Sequence, residues 1–321
     1  MCPASTALTE PLPGTVHFLD ADLSKPHFGL SNQTYLKLLN EVTIVIHNAW
    51  QVNFNLSIDS FVGQIRGVQQ IIEFSAFSRF GARLFFISSI SAVTGRPGVV
   101  PEYVYKDWQT AGTTGYGESK LVAERMLSTA AEEAEIPVVI CRIGQVAGPT
   151  TKSGVWPRQE WLPSLIASSK YMGKLPMSLN RMEVIDWIPV DLLGKSIVEL
   201  AVHPANPQSN GAVVYHTVNP QQTTWEALLP TVTRCLDSTG KMEVVPLDAW
   251  VRALRDSARK TDDLSANSAV KLIEFYEGLS ADNIKQTQLD TEKAVQASAT
   301  LGSLGPVHEA WMENWIRQWA S

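Results

Sequence analysis

Tyr116-Gly-Glu-Ser-Lys120 sets a phenol and an amine four residues apart, in a stretch whose pattern predicts a helix. Residues at i and i+4 stand on one face of a helix, so the two side chains would meet. An ammonium beside a phenol lowers the phenol's pKa and favours the phenolate, so such a tyrosine can exchange a proton with a substrate oxygen near neutral pH. A bare Tyr-x-x-x-Lys pair also occurs by chance on solvated helices, and its surroundings decide. A predicted strand ends in Ile87-Ser-Ser-Ile-Ser91, upstream of the tyrosine. A serine hydroxyl there can orient the substrate oxygen. Ser89 is the first choice, with Ser88 and Ser91 as alternatives. Ser89, Tyr116 and Lys120 are therefore the expected catalytic set.

Apolar, β-branched runs alternate with helical stretches through the first half of the chain. Val16–Leu19, Thr43–His47, Leu84–Ser88 and Val138–Arg142 predict strands. Continuous apolar runs of this length suit strands buried on both faces of a parallel sheet. A helix with Phe61, Ile65, Val68 and Ile72 on one face lies between the second and third. Another, with Leu121, Val122 and Met126 as its apolar positions, lies between the third and fourth. The alternation predicts an α/β fold, a doubly wound parallel sheet, over residues 1–150. After about residue 150 the rhythm changes. Ile185–Pro189 and Ala212–Thr217 predict short strands, and the rest reads as a smaller, mostly helical lobe over 151–321, interleaved with the sheet. Residues 1–14 and the polar stretch from Lys260 to Asn267 read as irregular.

Composition removes several classes of function. The chain of 321 residues is 45% hydrophobic and 18% charged, enough for a sizeable core. Its net charge of −6 and lack of a Lys/Arg run argue against nucleic acid. No apolar run reaches the ~18–20 residues needed to cross a bilayer, and the N-terminus lacks a secretory signal pattern. Cys2, Cys141 and Cys235 are too far apart for a disulfide framework, which suits a reduced, cytoplasmic protein. The six histidines show no metal-ligand spacing, and His47 reads as a satisfied histidine at a strand end.

Longer stretches carry a family resemblance. Asp22–Ser31, Ile46-His-Asn-Ala-Trp-Gln-Val-Asn-Phe54, Phe86–Ser91, Gly115–Lys120, Arg142-Ile-Gly-Gln-Val-Ala-Gly148, Asp186–Asp191, Leu304–Met312 and Trp315–Trp319 resemble extended short-chain dehydrogenase/reductases. In particular they resemble the thioester-reductase (male-sterility-like NAD-binding) domains of fungal polyketide and nonribosomal peptide synthetases. The resemblance implies a Rossmann-like fold. It places Asp22 and Leu23 near an adenine ring, Asn48 and Ala49 at a ribose, Ser88 on the nicotinamide side, and Arg142 with the Gly144-Gln145 turn where the site closes. It also implies that Trp50, Ser91, Trp156, Trp161 and Trp187 meet the substrate, a small-molecule or carrier-protein-bound polyketide or peptide intermediate.

The pattern departs from the family in one respect. The G-x-x-G-x-x-G turn that brings backbone amides and a helix N-terminus to the pyrophosphate occurs nowhere in the sequence. The first β-α-β unit is missing from the pattern, which implies either a naturally truncated chain or a longer natural one. Three functions compete. The first is redox-inactive carbonyl chemistry by Ser-Tyr-Lys: cyclisation of Dieckmann or aldol type, or isomerisation, with no cofactor. The second is NADPH-dependent reduction of a thioester to an aldehyde or alcohol. The third is a non-catalytic carrier-protein or metabolite-binding role. An uncovered sheet edge invites pairing with another chain, so a homodimer is a further expectation.

Overall fold

The computed structural model describes residues 16–204, 211–237, 240–259, 266–281 and 287–320. The lead-in over 1–14, Cys2 and the segment 260–265 lie outside these residues. The chain divides into two compact units. One comprises Met1–Arg96, Glu102–Arg142 and His203–Tyr215; the other comprises Pro97–Pro101, Ile143–Val202 and His216–Ser321. The division falls at Arg142 rather than near residue 150, and short segments return to each unit from the other half of the sequence.

A four-stranded sheet runs β1 (Ile44–His47), β2 (Arg83–Ser89), β3 (Val138–Ile143) and β4 (Val213–Thr217), in that spatial order. β1 and β2 are parallel, in register from Ile44 opposite Arg83 to His47 opposite Phe86. This is the expected α/β sheet with one correction. Val16–Leu19 is not a strand: it has no regular structure and is exposed, and its place in the four is taken by Val213–Thr217. Four residues without a ladder partner leave their backbone groups to water, so the local pattern alone could not make a strand.

Helices α1 (Asn32–Glu41), α2 (Val62–Phe77) and α3 (Gly115–Ala134) complete this unit. The buried face of α2 is Gly67, Val68, Ile71, Phe74 and Ser75. Ile65 and Ile72 are only half-buried, so the helix is rolled slightly from the face its apolar pattern suggests. The difference is larger in α3, which buries Tyr116, Ser119, Lys120 and Glu124 beside Leu121, Ala123 and Leu127. Val122 and Met126, two of its expected apolar positions, are half-buried.

The second unit packs around tryptophans. Trp156, Trp187, Trp225, Trp250 and Trp315 are each at most 1% exposed. Trp156 meets Trp187, Trp315 and Trp319 edge to face, with ring centroids 5.3–5.8 Å apart. Trp315 donates its indole N–H to the Pro149 carbonyl at 2.9 Å. A Cβ on Gly148 would come within 2.5 Å of the Trp315 ring, so this glycine admits the indole. The predicted strand Ile185–Pro189 is two short pieces, Val184–Ile185 and Ile188–Pro189, paired in different two-stranded sheets.

Two glycines set the start of α3. A Cβ on Gly115 would lie 2.4 Å from the Leu56 carbonyl oxygen, and one on Gly117 would lie 2.5 Å from that of Ser91 and 2.9 Å from that of Ala111. Only a residue without a side chain lets the Tyr116 turn sit against these loops. Gly117→Ala should therefore cost about 1–3 kcal/mol of stability through overpacking. Chemical denaturation measures this, and an unchanged midpoint would show that the loop yields freely.

Candidate active site

The loops after β1 and β2 and the first turns of α3 converge beyond the carboxyl ends of two parallel strands, where α/β sheets place their chemistry. Thr114 caps α3, its side chain accepting from the Gly117 amide at 3.2 Å. Ser89 ends β2, and its hydroxyl donates to that of Ser91 at 3.2 Å. Tyr116 is 6% exposed, against Phe54 with centroids 4.9 Å apart and Phe61 at 6.2 Å. Burial raises the Tyr116 pKa, and a hydrogen bond with Ser89 pulls it down by less. Lys120 is not among the causes. The expected lowering of Tyr116 by Lys120 is thus corrected: in this arrangement the phenol rests protonated.

Lys120 is 2% exposed. Its Nζ donates to the Ile87 carbonyl at 2.7 Å and lies 4.4 Å from the Trp50 ring centre, 4.7 Å from that of Phe86 and 5.8 Å from that of Tyr116. Burial pushes its pKa down to about 7, against the pull of Glu124 in the other direction. Trp50 is therefore a wall of the lysine's niche. Its indole N–H is held by the Ser119 hydroxyl at 3.2 Å, which in turn donates to the Tyr116 carbonyl at 2.7 Å.

The structure separates the three candidate serines. Ser89 faces the phenol. Ser91 is half-buried and bonded to Ser89 through both its amide and its hydroxyl. Ser88 is 3% exposed and donates its hydroxyl to Glu124 at 2.5 Å, which engages it away from any ligand. Asn48 and Ala49 are exposed just past β1. The Asp22 carboxylate is held by its own loop, accepting from Ser24 and pairing with Lys25, while Leu23 packs on the core of this unit. In the second unit, Gln145 accepts the Trp161 indole N–H at 2.8 Å. Trp156 and Trp187 are core residues there, with almost no surface for a substrate. Two grooves in that unit, about 450 and 300 Å³, do not include Ser89, Tyr116 or Lys120.

Two features escape the sequence reading. Glu124 forms a fully buried ion pair with Arg142, Oε2 to Nη2 at 2.7 Å. The spacing of 116, 120 and 124 on one helical face was the available signal. His47 is 7% exposed with Nε2 unpartnered among the described residues, so it is not the satisfied histidine expected. Burial, and secondarily Lys120, push its pKa down to about 4.

Comparison with known proteins decides the lineage. Residues 4–197 match the family model described as Male sterility protein, an NAD-binding domain. The chain belongs to this family. It is 39% identical to the carboxylic acid reductase of Neurospora crassa over 94% of its own length, and 30% identical to the adenylate-forming reductase Nps9 of Serpula lacrymans over 94%. It spans 29% of the length of each relative. Among solved structures, the terminal R domain of the myxalamid PKS-NRPS pathway superposes with a TM-score of 0.73 at 22% identity, covering 94% of this chain and 74% of that one. The reductase domain of a Mycobacterium tuberculosis nonribosomal peptide synthetase gives 0.71 at 18%, covering 93% and 74%. These likenesses carry the thioester-reductase-like, Rossmann-like α/β fold. A family described as NAD-binding favours a nucleotide cofactor over the expectation of none. Among the described residues no helix is long and apolar enough to cross a membrane, and no His/Cys/Asp/Glu cluster could hold a metal.

Lys120 gives a stability prediction with a definite sign. It loses its proton at about 7 when folded and near 10.5 when unfolded. Between these values the unfolded chain binds more protons, so stability rises with pH. The cost of burying the ammonium is full below pH 7 and fades towards pH 10.5. Lys120→Met should raise the melting temperature at pH 6, with a gain that shrinks as pH rises to 10. Thermal denaturation followed by circular dichroism reads this directly, and a gain independent of pH would refute the assignment.

Proposed function

We propose that this chain performs proton transfer at the carbonyl of a polyketide or peptide acyl group carried as a thioester by a carrier protein, without hydride transfer. The reaction classes that fit are cyclisation of Dieckmann or aldol type and isomerisation. The juxtaposition of the Ser89 hydroxyl, the protonated Tyr116 phenol and Lys120 carries the reading. Ser89 and Tyr116 bind the carbonyl oxygen. The α-proton passes to solvent, the α-carbon attacks the carbonyl, and Tyr116 gives a proton to the alkoxide formed (aldol) or, as the C–S bond breaks, to the departing carrier thiolate (Dieckmann); solvent re-protonates Tyr116. Phe54 and Phe61 flank the phenol and limit its contact with water.

A nicotinamide dinucleotide fits these residues only in part. Asn48 and Ala49 lie open at the end of β1, beside the strand that backs Lys120, and suit the nicotinamide–ribose side. Such a cofactor would supply hydride to a carbonyl carbon. The reading routes no step through the cofactor. The relatives favour a second reading: NADPH-dependent release of the acyl group as an aldehyde or alcohol, as the name carboxylic acid reductase suggests for the 39% identical protein. The carrier as partner draws support from the solved thiolation-reductase di-domain of an archaeal synthetase, which has the same fold. A cytoplasmic site of action, and a homodimer through the edge strand β1, belong to the same proposal.

The test is incubation of the purified chain with acyl-loaded carrier proteins, with and without NADPH, followed by mass spectrometry of the products and NADPH absorbance. The proposal expects product without NADPH consumption. Tyr116→Phe should lower turnover by about 10²–10⁴-fold, leaving the fold intact. Stoichiometric NADPH oxidation with release of aldehyde or alcohol would establish the reductase reading instead.

A further inference from the structure

The loop from β1 to α2 carries a phenylalanine that the fold leaves half in water. Phe54 is 55% exposed, whereas Phe61, which meets the same phenol, is fully buried. The Phe54 ring still touches Tyr116 edge to face, with centroids 4.9 Å apart. The loop is tied down at both ends and at its tip. Upstream, the Trp50 indole N–H donates to the Ser119 hydroxyl at 3.2 Å. Downstream, the Leu56 carbonyl and the Ile58 amide press on the start of α3, where a Cβ on Gly115 would come within 2.4 and 2.5 Å of them. At the tip, the Asn53 side chain accepts from the Asn55 amide at 3.0 Å, closing a turn with Phe54 at its centre.

Packing alone does not account for this arrangement. An aromatic side chain contributes to stability by leaving water, and more than half of this one stays there. The phenol itself is 6% exposed, so a carbonyl that reaches its hydroxyl comes in past the rings that cover it. Phe61 offers no free surface, and Phe54 does. The chain behind a carbonyl bound at Ser89 and Tyr116 therefore lies against Phe54. The composition of the loop decides what that chain can be. Between Asn48 and Val62 the sole charged residue is Asp59, and Val52 and Val62 are 67% and 46% exposed. Such a surface rewards the burial of hydrocarbon or conjugated carbon. It holds no cation to offset the desolvation of a carboxylate.

We propose that Phe54 selects the substrate: its exposed face packs on the part of the acyl chain next to the reacting carbonyl and admits apolar or conjugated chains in preference to charged ones. The inference rests on reading Tyr116 as the proton donor at that carbonyl, and it names the class of acyl group the centre serves.

The test is a binding measurement that needs no turnover. Octanoyl-N-acetylcysteamine and succinyl-N-acetylcysteamine are thioesters with an apolar and a carboxylate-bearing chain. Each is titrated into protein carrying [13Cζ]tyrosine, and the Tyr116 signal, assigned by its absence in Tyr116→Phe, reports occupancy. The unsubstituted chain should bind the octanoyl probe more tightly than the succinyl one. Phe54→Ala should weaken octanoyl binding by about 10-fold and succinyl binding far less. Phe54→Leu keeps an apolar side chain at the turn, so it should retain most of the octanoyl preference even if the alanine variant folds poorly. An equal loss for both probes, no loss for the octanoyl probe in Phe54→Ala, or a Tyr116 signal that answers to neither probe would overturn the inference. Binding that follows Phe54 would stand even if the chain proved to consume NADPH. Product formed without NADPH would stand even if binding ignored Phe54.

Discussion

Lys120 carries its amine into a niche made of the Ile87 carbonyl and the rings of Trp50, Phe86 and Tyr116. Removing an ammonium from water is costly unless its surroundings supply charge and dipoles. Much of the first unit answers that constraint. The Ile87 carbonyl accepts from the amine, and Ser119 fixes Trp50 over it; on the same helix Glu124 is held by Arg142 and Ser88. The close approach at Gly115 and Gly117 seats the helix that carries all three of Tyr116, Lys120 and Glu124.

The same burial divides the roles of the two proton-bearing groups. It raises the phenol and lowers the amine, bringing Lys120 close to neutrality while Tyr116 stays protonated. In the proposed reaction the phenol is the donor to a carbonyl oxygen, and the lysine, enclosed in its niche, does not meet substrate. The membership in an NAD-binding family and this intact acid–base arrangement belong together.

Much of the sheet was legible because three of its strands are continuous apolar runs with helices between them. Val16–Leu19 looked the same locally but gained no partner, and pairing is a long-range fact that four residues cannot encode. The Tyr116–Lys120 pair was legible from its spacing, yet the state of the phenol was not, since burial rather than the neighbouring cation dominates it. The pairing of Glu124 with Arg142 was hidden for a related reason: a charged residue reads as solvent-facing until its partner, on another element, is brought beside it. Trp156 and Trp187 were expected at the substrate and lie in a core instead. An aromatic run looks alike in either setting, and only packing tells them apart.

The resting protonation of Tyr116 is the point on which the account turns. Protein carrying [13Cζ]tyrosine, with the Tyr116 signal assigned by its absence in Tyr116→Phe, gives the phenol's midpoint directly by NMR titration. The account predicts a midpoint above the ordinary value of 10.0. A midpoint displaced well below it, towards neutrality, would show that the Lys120 ammonium and not burial governs the phenol, and would contradict the division of roles drawn from this structure.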